Sequence, residues 1–132
     1  MSPSNKPTQK TIQNISKYAN IQPAANWTIV YFNPRVQKDV MAMSAGVLAD
    51  YLRLCDAMTL FGADLRMPHS RALGDGLFEL RPKGREGIGR VFYCAQQGRT
   101  IVVLHSFVKK SQDTPDREMR LARQRLKDVQ HG

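Results

Sequence analysis

The chain has 132 residues, 42% apolar and 23% charged, with a formal net charge of +9. That length suits one domain around a single hydrophobic core, and the composition is that of a globular protein rather than a disordered or disulfide-stapled one. No run of about 18 apolar residues offers a membrane span, and the opening MSPSNKPTQK lacks the apolar core of a secretory signal.

The excess of base favours an acidic partner: nucleic acid, an anionic surface or an acidic protein. Cys55 and Cys94 sit in apolar patterns without metal-type spacing. A disulfide between them is one alternative, and two buried thiols in a reducing cytoplasm is the favoured reading. A cytoplasmic protein is therefore expected.

Residues 1–26 carry Lys6, Lys10 and Lys17 and no acid, among Ser, Asn, Gln, Thr and Pro. Low hydrophobicity and uniform charge predict a flexible basic arm. Ile12, Ile15 and Tyr18 would share one face of any short helix within it. The folded domain is expected over 27–132.

Trp27 to Phe32 is dense in β-branched and aromatic residues and predicts a strand buried on both faces. Asn33-Pro34 follows as N-cap and first helical residue, with Val36, Val40 and Met43 at helical spacing. Ser44 to Phe61 carries Val47, Leu48, Tyr51, Leu52, Cys55 and Met58 on one stripe, a second helix stopped by Gly62. The short link makes the two helices an antiparallel hairpin. Ala63 to Gly76 is a basic connector with Arg66, His69 and Arg71, able to pair briefly with the sheet near Ser70–Leu73.

From Leu77 to Lys110, three apolar segments (LFELR, RVFYCA, TIVVLHSFVKK) are divided by PKGREGIG and QQGR, which predicts an antiparallel meander. Seven bases face two acids within these 34 residues, too lopsided for an ordinary mixed surface. Thr114-Pro115-Asp116 repeats the cap pattern. Met119, Ala122, Leu126 and Val129 then make the buried stripe of a final helix, with Arg117, Arg120, Arg123 and Arg125 on its outer face. The fold class is α+β: a small, mainly antiparallel sheet with an N-terminal helical hairpin and a C-terminal helix.

Side chains alternate along strands, so Glu79 and Arg81 share a face, as do Arg90, Phe92 and Cys94, and as do Val103, His105, Phe107 and Lys109. If Arg81, Arg90 and Lys109 converge beside Phe107, they form a cationic site with a stacking platform, suited to single-stranded nucleic acid. The plainer alternative pairs Arg81 with Glu79 and places Phe107 in the core. His105, the one histidine on a strand near these cations, is either part of that site or a satisfied core residue.

Other chemistries lack their residues. The acids are scattered, so no Mg²⁺ cluster is expected. His69, His105 and His131 have no zinc spacing. The turn glycines are not followed by a helix that could cradle phosphate. No nucleophile with a base, and no cofactor, is expected.

The run LGDGLFELR (73–81), then RVFY (90–93), then VLHSFVKK (103–110), with Thr114-Pro115 and Ala122 beyond, resembles the HigB-like branch of the RelE toxin superfamily, in which many members are phage-derived. The resemblance covers about residues 27–129. It implies a small twisted sheet with a helical hairpin on one side. It also implies the toxin of a type II toxin–antitoxin pair: an endoribonuclease that cuts mRNA without metal, commonly in the decoding site of the small ribosomal subunit. The partner implied is a small helix-turn-helix antitoxin.

Carried onto this chain, Arg81 contacts the scissile phosphate, Arg90 is a second phosphate cation, and Lys109 is a candidate acid or base. Phe107 stacks a base, with His105 beside it, while Lys83, Arg85 and Lys110 hold the RNA backbone. Replacing Arg81, Arg90 or Lys109 by Ala is expected to lower cleavage and spare the fold. Several relatives use a tyrosine near the C-terminus, and this chain has none after Tyr93. The alternative function is a non-catalytic RNA- or partner-binding module on the same fold.

Overall fold

Asn33 and Pro34 start the first helix as their chemistry requires. In a computed structural model describing residues 26–108 and 114–132, the Asn33 side chain accepts from Val36 N at 2.9 Å. Pro34 opens α1 (Pro34–Met41), where its missing N–H costs nothing. Ser44 and Gly62 bracket α2 (Ala45–Phe61), and Gly62, at φ +93°, returns its N–H to Met58 O at 2.9 Å. The expected arm at 1–26, apart from residue 26, lies outside the described residues, as do Lys109 and Lys110.

Six strands form the sheet: β1 (Thr28–Tyr31), β2 (Ser70–Gly74), β3 (Leu77–Leu80), β4 (Lys83–Gly84), β5 (Gly87–Gln96) and β6 (Thr100–Val108). Their order is β1-β6-β5-β3-β2, with β4 paired to the start of β5. All neighbours are antiparallel except β1 and β6. The connector therefore supplies a whole strand, β2, where only brief pairing was expected. The PKGREGIG break also contains one.

β1 departs from expectation in burial. It is an edge strand with Val30 40% exposed, because only one side of its backbone and one face are covered. Its apolar run reflects β-propensity more than double burial.

α1 and α2 cover one sheet face. Val36, Val40, Met43, Val47, Tyr51, Leu54 and Met58 pack there on Leu80, Val91, Tyr93, Ile101 and Val103. Leu54 joins this core and Leu52 does not, being 46% exposed. Leu52 follows Tyr51 by one residue, about 100° round the helix, so burying Tyr51 turns Leu52 outward. Two buried phenols find partners: Tyr31 and Tyr51 hydroxyls meet at 2.8 Å, and Tyr93 donates to Ala63 O at 2.5 Å.

The opposite face is covered by α3 (Asp116–His131), whose Ala122 and Leu126 pack on Leu77, Phe92, Cys94, Val102 and Leu104. Cys55 packs with the first core and Cys94 lies in the second, so the sheet separates them, and both are free thiols. Burial pushes the Cys55 thiol up to about 11, which leaves it protonated at neutral pH.

The start of α3 differs from that of α1. Pro115 itself is the N-cap and no side chain caps the helix, so the Asn33-Pro34 pattern is not repeated. Asp116 and Glu118 do lie in the first turn, where the helix dipole favours anions. Nor are the four arginines all outward. Arg123 donates to Leu73 O at 2.9 Å and Arg125 to Leu104 O at 2.8 Å, with the Arg125 guanidinium 5.2 Å from the Phe32 ring centre. These two fasten the helix to the sheet, while Arg117 and Arg120 face solvent.

The β4 turn is pressed onto the start of α2. Lys83 N donates to Asp50 Oδ2 at 2.7 Å and Gly46 N to Glu86 Oε2 at 3.3 Å. A methyl group on Gly84 would lie 2.5 Å from Val47 N and 2.6 Å from the Gly46 carbonyl carbon. Gly84→Ala should therefore destabilise the protein by about 1–3 kcal/mol, the usual range for overpacking. Urea unfolding beside wild type measures it.

Candidate functional site

A single extra residue in β6 decides which side chains share a face. Phe92 pairs with His105, but Tyr93 pairs with Val103, leaving Leu104 unmatched. Strict alternation would set Leu104 and His105 on opposite faces. The bulge puts both on the α3 side, where Leu104 packs in the second core and His105 meets Glu118 of α3. Arg125 takes the carbonyl of the unmatched residue.

Two cross-strand rows result on this face. The first runs Arg71, Glu79, Phe92, His105, each opposite the next. The second runs Arg81, Arg90, Phe107: Arg90 is opposite Phe107, and Arg81 lies one residue past the Leu80–Val91 pair. Adjacent strands are about 4.8 Å apart, so each row is a line of near neighbours.

Glu79 and Arg90 are the buried centre. They are 0% and 3% exposed, and Arg90 Nη1 donates to Glu79 Oε1 at 2.7 Å. Arg71 Nη2, on a half-exposed side chain, stands 3.7 Å from the same oxygen. Burial pulls the Arg90 guanidinium below its ordinary value, opposed by the Glu79 charge and reinforced by Arg81 and Arg71. Arg81, partly exposed, has no ion pair among the described residues.

The alternative in which Arg81 pairs with Glu79 is thus corrected: Arg90 and Arg71 take that carboxylate. Three cations gather about one anion, a surplus suited to a bound anion. Only Arg71 and Arg81 are presented to solvent. Arg90 is not, so the expectation that Arg90→Ala would spare the fold is also corrected.

The aromatic end is a stack. Phe92, His105 and Phe107 ring centres lie 5.9 to 6.3 Å apart, with interplanar angles of 4° to 26°. Phe107 is half-buried, one side on Phe92 and His105, so it is both a packing residue and a partly open surface. His105 Nε2 lies 2.5 Å from Glu118 Oε1. Burial raises the Glu118 carboxyl, but the hydrogen bond and charge of His105, with Arg117, outweigh it and hold the group below the usual carboxylate range.

Lys83 and Arg85 do not join these rows. They lie on the β4 turn, whose contacts are to the N-terminal end of α2. Arg71 and Glu118 are the residues that sequence reading missed. Arg71 sits mid-strand in a segment read as a connector. Glu118, four residues before the buried Ala122, lies on the flank of the helix stripe, the only signal it carried. Among the described residues, no three His, Cys, Asp or Glu side chains come together as a metal site would need.

Residues 38–127, more than half of the chain, match the family model described as phage derived protein Gp49-like. The chain belongs to that family. The Gp49-like span runs from α1 into α3 and holds both rows. Among solved structures, the chain is similar to the crystal structure of the archaeal RelE–RelB complex from Pyrococcus horikoshii OT3. Identity is 16% and the TM-score 0.49, over 64% of this chain and 97% of that one. No curated protein matches the chain.

Two outcomes follow from the charges. Glu79→Ala leaves Arg90 buried without its anion and should cost about 3–5 kcal/mol, whereas Arg81→Ala, at a partly exposed site, should cost less than about 0.5 kcal/mol. Denaturant unfolding of the two variants separates them. Glu118, depressed in the folded state, contributes stability that is present above its ordinary value and lost as pH falls through the lower folded value. The gap in Tm between wild type and Glu118→Gln should be open at pH 7 and narrow as pH falls below the ordinary carboxylate range.

Proposed function

We propose that this Gp49-like protein is the toxin of a type II toxin–antitoxin pair, an endoribonuclease that cuts mRNA without metal, on the ribosome. The observation that carries the reading is the Arg81–Arg90–Phe107 row lying beside Arg71 and the His105 stack on one sheet face. The resemblance to HigB-like toxins points the same way.

In the proposed reaction a ribose 2′-hydroxyl attacks the adjacent phosphate and the 5′-oxygen leaves. Negative charge grows on the phosphorane, and fixed cations stabilise it. Arg81 is the cation free to approach; Arg71 supports it from the neighbouring row. Arg90, held by Glu79, contributes field rather than contact. Phe107 offers its open side to a base. Lys109, which follows β6 in the sequence, is the proposed acid or base, and Lys110, Lys83 and Arg85 are proposed to hold backbone phosphate.

A helix-turn-helix antitoxin with an acidic segment is the partner proposed. The chain's charge of +9 would speed that encounter and make it salt-dependent. No helix among the described residues is long and apolar enough to cross a membrane, and the proposed setting is the cytoplasm.

One feature favours the second reading, a binding module without catalysis: Arg90 is already occupied by Glu79. Inducible expression decides between them. The wild type should arrest growth and leave mRNA fragments with 2′,3′-cyclic phosphate ends. Arg81→Ala should lower cleavage by about tenfold to a thousandfold, and an adjacent reading frame should restore growth. A harmless wild type, with RNA bound but uncut, establishes the binding module instead.

A further inference from the structure

The proposed reaction needs a group that takes the 2′-hydroxyl proton, and a site built for one stands where α3 meets β6. The His105 and Glu118 side chains are only 14% and 15% exposed, and they join through Nε2 and Oε1. An ionised carboxylate can only accept, so Nε2 carries the hydrogen, and in the neutral ring Nδ1 keeps the lone pair. The Glu118 contact uses Nε2 and leaves Nδ1 as the ring's other nitrogen.

Phe92 and Phe107 stack on the ring and set its plane. Two residues back along β5 from Phe92 is Arg90, opposite Phe107, so the imidazole stands one strand repeat, about 7 Å, from Phe107, with Arg90 one strand over and Arg81 two strands over. A nucleotide lying across β5 with its phosphate at the Arg81 side chain would bring its ribose towards the imidazole. Among the described residues, the charged groups around the ring are Glu118 and Arg117 from α3, Arg125 from α3 at the Leu104 carbonyl, and the Arg90–Glu79 pair from β5 and β3.

Resting on the nuclease reading above, we propose that His105 is the general base of this site and Glu118 the positioning residue that fixes its tautomer. The 2′-oxygen gives its proton to Nδ1 and forms the O–P bond. The P–O5′ bond breaks, its electron pair stays on O5′, and O5′ takes a proton from water. Glu118 then faces the imidazolium, which releases its added proton to solvent.

The test uses the full chain as wild type, Arg81→Ala, His105→Ala and Glu118→Gln, with folding checked by circular dichroism. Each is assayed on free RNA and on ribosomes carrying a defined mRNA. His105→Ala should lower kcat by about a hundredfold to ten-thousandfold, and added imidazole should restore part of it. Glu118→Gln should lower kcat about tenfold and leave KM in place, the signature of a contact used only in the transition state. ¹⁵N NMR of the neutral His105 ring should show one tautomer in wild type and a mixture in Glu118→Gln, because an amide can face Nε2 as donor or acceptor.

If His105→Ala cuts at the wild-type rate while Arg81→Ala does not, the dyad is wrong and the nuclease reading stands. A wild type that cuts neither RNA removes both. Should His105→Ala not fold, Glu118→Gln carries the test, and an unchanged kcat with an unchanged tautomer overturns the proposal.

Discussion

Glu79 and Arg90 lie side by side on neighbouring strands with almost no access to water, so each charge is met by the other, and Arg71 at the rim brings a second cation to Glu79. Removing two ions from solvent is costly, and their attraction offsets that cost only while the strands hold them at hydrogen-bond distance. Glu79 Oε2 and Arg90 Nε are left without a partner among the described residues, so the pairing is tight but incomplete. A simple apolar pair would stabilise the sheet as well or better. Under the proposed nuclease reading, the ion pair fixes charge at one place on the sheet.

The pair lies at the end of the sheet beyond the α3 contacts seen among the described residues. Leu77, Phe92, Cys94, Val102 and Leu104 close under Ala122 and Leu126, and beyond them the face turns from apolar to ionic within one strand repeat. α3 is clamped at that boundary by its own charged residues: Arg123 and Arg125 on strand carbonyls, and Glu118 on His105. Half of the arginines that seem to decorate the helix are structural, and the cationic field facing outward is correspondingly narrower and better localised. A narrow field beside a stacked aromatic surface suits one phosphate and one base better than it suits a duplex.

Much of this organisation is legible in the chain before folding is considered. Asn33-Pro34, Gly62, the meander breaks and the stripe of Met119, Ala122, Leu126 and Val129 follow from capping, backbone freedom and periodicity, all set by neighbours within a few residues. The α+β class follows from their order. The pairing of Arg90 with Phe107 and the nearness of Arg81 are also readable, because strand parity and hairpin length place them. β2 and β4 were obscured by the prolines and glycines around them, whose local signal is a turn. Leu52 and the double burial assigned to Trp27–Phe32 went astray because apolar character alone does not say which side is covered.

By itself, then, the sequence determined most of the elements, the α+β class and the basic character of the meander, since these depend on residue type and short-range spacing. Its resemblance to a phage-derived family is met at that coarser level by the Gp49-like match. Tertiary structure decided which charges are available. Glu79 could have met Arg81, and took Arg90 and Arg71, because β2 and β5 flank β3 and bring those side chains to it. His105 shares a face with Leu104 because one unmatched residue in β6 breaks the alternation on which any reading of parity relies. Glu118 reaches His105 across 13 positions in the chain only because α3 docks where it does. Long-range pairing of this kind depends on where whole elements pack, and no local pattern encodes it.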